Sequence, residues 1–378
     1  MTMRLSLSST SHMGVLPGLL LLLGIAGLRP VVGQAPCTPP ESMRARLQDK
    51  PDATTYTDLG VWFAEQKQYS CAANAFATSM QTQPDQKDMP HLAFMFGVSL
   101  YFSGDLKEAI TALQEAEQLG YNDFKLHTVL AAALDASQQN KDAEDEWQAA
   151  LAFDPEASVA LDALSNDLLR DNDFAGTIAL LQLPRLLGQR TPQQSLNLAA
   201  AYAGTAQLDE AAQVLRDGLN TSPDSLALAN QLAKALIELK RGDEAVTVLE
   251  LALAQHPQDA GTAALYLGTL IAAQPDKAPE AAGRLLLRFP EDAKILYLSG
   301  VVEMKAGNLQ QARAYLEQSL AIQPDEALPH EALGVLLAEM KEMTGAKEQF
   351  ERAISLGDSS AEAKANLARV VEVLGTGK

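Results

Sequence analysis

The chain has 378 residues, 47% of them hydrophobic and 20% charged, with 48 acidic side chains against 29 basic ones and a formal net charge of −19. Phosphate binding needs basic patches, so this balance argues against nucleic acid and anionic membrane surfaces as partners. The plain reading of the acidity is solubility, with a basic partner or cation-rich surroundings as the alternative.

Residues 1–33 begin with Arg4 in a Ser-rich start, run apolar from Val15 to Leu28 and leave through Val31-Val32-Gly33. Pro17, Gly18, Gly24 and Gly27 interrupt the run, which is too short and broken for an ordinary bilayer-spanning helix. It is expected to be a secretory signal peptide cleaved before Gln34, the alternative being an uncleaved segment anchoring the chain to an inner membrane. The segment holds Arg4 and Arg29 and no acid, so removing it leaves 27 basic against 48 acidic side chains, a net charge near −21. No stable membrane insertion is expected after cleavage. Residues before Cys37 lack a lipidation pattern.

Residues 34–52 read as a polar, proline-bounded lead-in with one short helix. From Ala53 onward, pairs of helical patterns succeed one another. The first carries Leu59-Gly60, Phe63, Ala72, Phe76 and Ser79, and the second Phe96-Gly97, Ala109, Leu113 and Ala116. The third carries Leu130-Ala131, Ala143, Trp147 and Ala150, with Trp147 expected in the core. The fourth, 158–191, opens with Leu164-Ser165, but Pro184 falls inside its second helix, where it removes a donor and clashes with the preceding turn. That helix is expected to end early. The fifth and sixth regain register at Leu198-Ala199, Ala211 and Leu215, then Leu232-Ala233, Ala245 and Leu249. The seventh, 259–292, keeps Leu267-Gly268 as its paired small position but is crowded by Pro275 and Pro279. Residues 359–378 carry one more amphipathic helix, expected to cover the last repeat.

The eighth and ninth units make the period plain. Ala293–Glu326 shifted by 34 residues places Gly300 on Gly334, Ala312 on Ala346 and Leu316 on Phe350. Each unit is helix, tight turn, helix, with small residues where two antiparallel helices approach and a large one beside them. One such hairpin cannot bury its apolar face alone, so copies must stack. This pattern resembles the tetratricopeptide repeat (TPR). The resemblance implies an all-α fold: an α-solenoid of about nine helix-turn-helix hairpins over 53–358, wound into a right-handed superhelix with a C-terminal capping helix.

Signs of chemistry are weak. His330-Glu331 opens like a zinc-protease helix but lacks the second histidine, and Gly375–Lys378 lacks the glycine spacing, hydroxyl and strand of a phosphate loop. No metal or cofactor is expected, and the chain is not expected to be an enzyme. Asn220-Thr221-Ser222 fits a glycosylation acceptor. Export favours oxidation, so Cys37 and Cys71 form either a disulfide stapling the lead-in to the first hairpin or a free thiol and a buried one.

In the family, the first helix of each hairpin lines a concave groove that holds a peptide. Carried over, that groove contains Phe94, Met95, Val98, Tyr101 and Phe102, then Asn166, Asn197, Asn230 and Lys234, then Tyr297. Asn166, Asn197 and Lys234 echo the family's clamp for C-terminal carboxylates, but Asp162 stands where its first lysine belongs, leaving the clamp incomplete. The apolar patch at 94–102 has three readings: a protein or peptide site, a surface covered by residues 38–52, or a homodimer contact. The expected function is a non-catalytic protein-interaction scaffold, exported to a periplasm or outside the cell. The alternative is a regulatory or assembly subunit of an envelope enzyme or of a secretion, pilus or polysaccharide-export complex.

Overall fold

The computed structural model describes residues 37–82, 84–183, 186, 188–357 and 360–376. The expected signal peptide lies outside them. The described residues form twenty α-helices and one short 3₁₀ turn, with no strand among them. None of these helices is long and apolar enough to cross a membrane. The hairpins stack as an α-solenoid within each of two compact units, divided between Asp171 and Asn172.

Unit 1 begins with α1 (Glu41–Asp49), followed by the hairpins α2 (Ala53–Glu65) with α3 (Tyr69–Gln81), α4 (Met89–Ser103) with α5 (Leu106–Gln118), and α6 (Phe124–Ala136) with α7 (Asn140–Phe153). It ends with α8 (Ser158–Arg170), packed on α7. Helix α1 is tied down covalently and by packing. Cys37 and Cys71 are joined across a Cα–Cα distance of 5.5 Å, and Arg46 pairs with Asp58 at 2.8 Å. Met43 and Leu47 of α1 pack against the core built from Leu59, Phe63, Phe76 and Leu92.

Unit 2 opens with α9 (Phe174–Leu181), which packs on α10 (Pro192–Gly204). Helix α9 is only 8 residues long and stops three positions before Pro184 in the sequence. Next come α11 (Leu208–Thr221), α12 (Leu226–Glu238), α13 (Gly242–Gln255) and α14 (Ala260–Ala273). The 3₁₀ turn Pro275–Lys277 leads into α15 (Ala278–Arg288), and α16 (Ala293–Lys305), α17 (Leu309–Ile322), α18 (Ala327–Glu339), α19 (Met343–Ser355) and α20 (Ala361–Thr376) complete the unit. Helix α20 packs on α19 and buries Ala363 and Val370.

Local chemistry explains the hairpins. Side chains of Asp52, Asp123, Thr191, Ser225, Asp259 and Asp292 accept a backbone N–H in the first turn of α2, α6, α10, α12, α14 and α16. In the turn between paired helices one residue is left-handed: Lys67, Gln138, Ala206, Lys240 and Lys341, or Gly104 and Gly307. The close approach is real. A Cβ built on Gly60 would lie 2.6 Å from the Phe76 ring, and one on Gly300 would lie 2.8 Å from Leu316 Cγ. The buried Ser79 and Ser319 hydroxyls donate to the Ala53 and Ala293 carbonyls, pinning each second helix to the start of its first. Burial of each large residue contributes about 1.5–3 kcal/mol.

Candidate functional site

The residues anticipated for a groove divide between the two units. In unit 1, Phe94 and Val98 are closed off, at 9% and 4% exposure. Helix α4 is apolar on all sides and is gripped by α3 and α5. The Phe94 ring stacks on Tyr121 at 4.4 Å, with His91 beside both. Met95 packs on the first hairpin's core, Phe102 stacks on Tyr69 at 5.0 Å, and Tyr101 meets Phe102 edge-on. These contacts come from neighbouring side chains of unit 1, and the core on which Met95 packs also receives Met43 and Leu47 of the lead-in helix. Asn166, on α8, is half-buried.

In unit 2, Asn197 is 4% exposed and accepts from Gln193 Nε2 at 2.8 Å. Asn230 hydrogen-bonds Thr262 Oγ1 at 2.8 Å, linking α12 to α14. Tyr297 is half-buried against the core of α17 to α19. Lys234 is exposed on the face of α12 that also carries Asn230 and Ile237, spaced at one-turn intervals.

Beside that face, a cavity of about 450 Å³ lies between α12, α14 and α16, the first helices of three successive hairpins. Its walls are Ile237, Ala264, Leu265, Ala272 and Leu298, with Lys240 and Lys294 at the rim. Neither lysine, nor Lys234, has an ion pair among the described residues.

The cavity owes its depth to Gly268. Eight residues after the N-cap, first helices carry the small residue of the close approach: Gly60, Ala131, Ala199, Ala233 and Gly300. Counting from Asp259, that place belongs to Leu267, which is fully buried, and Gly268 comes one later. The reading of Leu267-Gly268 as an ordinary paired small position is therefore corrected. A Cβ on Gly268 would meet only Leu298, at 3.9 Å. Neither packing nor backbone conformation requires glycine there, and a mid-helix glycine costs about 1 kcal/mol relative to alanine. Its effect is an open floor.

The sequence held a sign of this. In the other hairpins the large residue follows the paired glycine by 16 positions, as Gly300 precedes Leu316. Sixteen after Leu267, which holds the small-residue place here, comes Gly283, which is exposed, while Leu285 fills the core two places later. The Pro275–Lys277 turn is a two-residue insertion that shifts α15.

Two histidines tie their hairpins together. His330 bridges Gln349 and the Pro324 carbonyl, and His127 bridges Glu146 and Asn122 at the same place in an earlier hairpin. The described residues contain no group of three or more His, Cys, Asp or Glu arranged to hold a metal ion. Trp147 is buried and donates its indole N–H to Asp135 at 2.8 Å.

Comparison with known proteins gives matches to two models described as tetratricopeptide repeat, over residues 195–266 and 261–327. Among curated proteins, human FK506-binding protein-like is 38% identical over 72 residues, 19% of this chain and 21% of that protein. The chain thus matches about a fifth of that relative's length. Solved structures with related folds include MamA (from residue 41) of Desulfovibrio magneticus RS-1, 20% identical over 45% of this chain and 97% of that one, TM-score 0.38. A thermophilic TPR protein of Thermus thermophilus, TTC0263, is 19% identical over 48% and 99%, TM-score 0.41. Pseudomonas aeruginosa PilF is 17% identical over 56% and 96%, TM-score 0.41. Likenesses this distant carry no argument about partners.

Proposed function

The chain belongs to the tetratricopeptide repeat family, and we propose that it is an exported, non-catalytic scaffold that captures a peptide segment of another protein on unit 2. Repeat stacks of this kind use the extended surface of their first helices for binding. One observation carries the reading: Gly268 leaves an apolar floor that the fold does not need. A cavity of about 450 Å³ accommodates a large apolar side chain. Lys240 and Lys294 in its lining, with Lys234 exposed one turn before Ile237 on α12, favour acidic residues on either side of that anchor, in a chain that is otherwise strongly acidic. Export rests on the N-terminal segment, and the Cys37–Cys71 bridge suits an oxidising compartment.

The test is selection from a displayed peptide library by the chain from Cys37 onward, beside its Gly268→Met variant. Recovered peptides are expected to carry an apolar residue flanked by Asp or Glu, and the variant is expected to lose them. Peptides held equally by both proteins would remove the cavity from the mechanism.

A further inference from the structure

Two successive second helices of unit 2 depart from the repeat at the same place. The large core residues Phe76, Leu113, Trp147, Leu215, Leu316 and Phe350 are each followed, two positions on, by a polar or small one: Thr78, Glu115, Ala149, Asp217, Gln318 and Arg352. Helix α9 stops before that place. In α13 and α15 the residue there is leucine. Leu251 follows Leu249 at 65% exposure, and Leu287 follows Leu285 at 88%. A single exposed leucine is ordinary, but two at one register on neighbouring helices make a surface.

The space between these helices is open. Both pack on α14, and Arg288 donates to the Pro257 carbonyl at 3.0 Å, which ties the last turn of α15 to the residue after the C-cap of α13. A cavity of about 340 Å³ lies between them, walled by Ala254, Ala281 and Leu285. It shares no lining residue with the Gly268 cavity. Leu251 stands one turn from Ala254 and Leu287 one turn from Arg284, so both leucines border it.

The lining is basic in a chain of net charge −19. Arg284 and Arg288 enter it one turn apart on α15. The acids beside them are engaged: Glu250 accepts the Tyr266 hydroxyl at 2.9 Å, and Glu280 lies 3.8 Å from Arg284. Arg288 has no ion pair among the described residues. An extended peptide laid on this side-chain surface would leave its own backbone groups without partners, whereas a helix satisfies them internally and brings one apolar stripe to the groove.

We propose that the surface of α13 and α15 docks an amphipathic helix of a partner protein, with its apolar stripe over Leu251, Leu287 and the cavity and its acidic flank on Arg284 and Arg288. Charge complementarity selects the acidic flank. The scaffold thereby holds a second segment on its second helices, and this site is independent of the peptide site at Gly268.

The test is selection by the intact chain from a displayed library of amphipathic helices with randomised charge on their polar flanks, followed by fluorescence anisotropy on a recovered helix. Recovered helices are expected to carry Asp or Glu beside the apolar stripe. Leu251→Ser/Leu287→Ser changes exposed residues and leaves the core intact, and it is expected to weaken binding more than about tenfold. Arg284→Glu/Arg288→Glu is expected to reject the acidic helix and to accept its lysine counterpart. Gly268→Met is expected to bind the helix as the wild type does. The proposal is overturned if no helix is enriched over the leucine variant, if the recovered helices show no acidic preference, or if Gly268→Met abolishes binding. It is also overturned if sedimentation shows the wild type pairing with itself through a contact that the leucine variant removes.

Discussion

Alanine at position 268 and alanine at position 300 are the same substitution in the same part of a first helix, yet opposite signs are expected. At Gly300 the new Cβ would sit 2.8 Å from Leu316 Cγ and 3.3 Å from the Ala312 carbonyl. Those atoms are a branch point and backbone, so α17 must move away, which costs about 1–3 kcal/mol for overpacking. At Gly268 the Cβ meets only Leu298 at 3.9 Å, an ordinary contact. There the gain in helix propensity, about 1 kcal/mol, stands unopposed. For a unit of about 200 residues, 1 kcal/mol moves the melting midpoint by roughly 2–4 °C. Thermal melts followed by circular dichroism, with amide exchange across α14 and α16 to localise the effect, are expected to show Gly268→Ala raised and Gly300→Ala lowered. Equal destabilisation would mean that Gly268 packs against the second helix after all, and the cavity argument would fall with it.

Two further outcomes follow from local geometry. Ala206 occupies a left-handed turn, φ 60°, with no side chain to compensate, so Ala206→Gly is expected to stabilise unit 2 by about 1 kcal/mol in denaturant titration; a loss would show that the turn is held by something other than φ. The Cys37–Cys71 bridge closes a loop of 34 residues, and by loop entropy its removal in Cys37→Ser/Cys71→Ser is expected to cost about 3–4 kcal/mol of local stability around α1 to α3. Reductant is expected to lower that stability in the wild type alone, and alkylation of two thiols without reductant would contradict the bridge.

Much of this protein is written in short-range spacing. Gly60 with Phe76, Gly97 with Leu113, and Gly300 with Leu316 announce helix pairs because the two residues of each pair touch within one hairpin. A signal confined to 34 residues survives repetition and can be read without coordinates. N-caps and turn residues are legible for the same reason, since each acts within a few positions of itself. The site was not. Phe94 and Val98 read as groove residues from their places in the repeat, but Tyr121 and the flanking helices cover them. Gly268 read as a packing glycine because it follows a leucine; the spacing to Leu285 hinted otherwise, but that Gly268 lines an open cavity appears only in the packed structure. Leu251 and Leu287 lie in separate hairpins; that they share a register and border one cavity appears only once α13, α14 and α15 are packed. Local spacing determines which helices pair. Whether a given side chain ends in water, in a core or beside a cavity depends on what the neighbouring hairpins place against it, and that is decided by the tertiary structure.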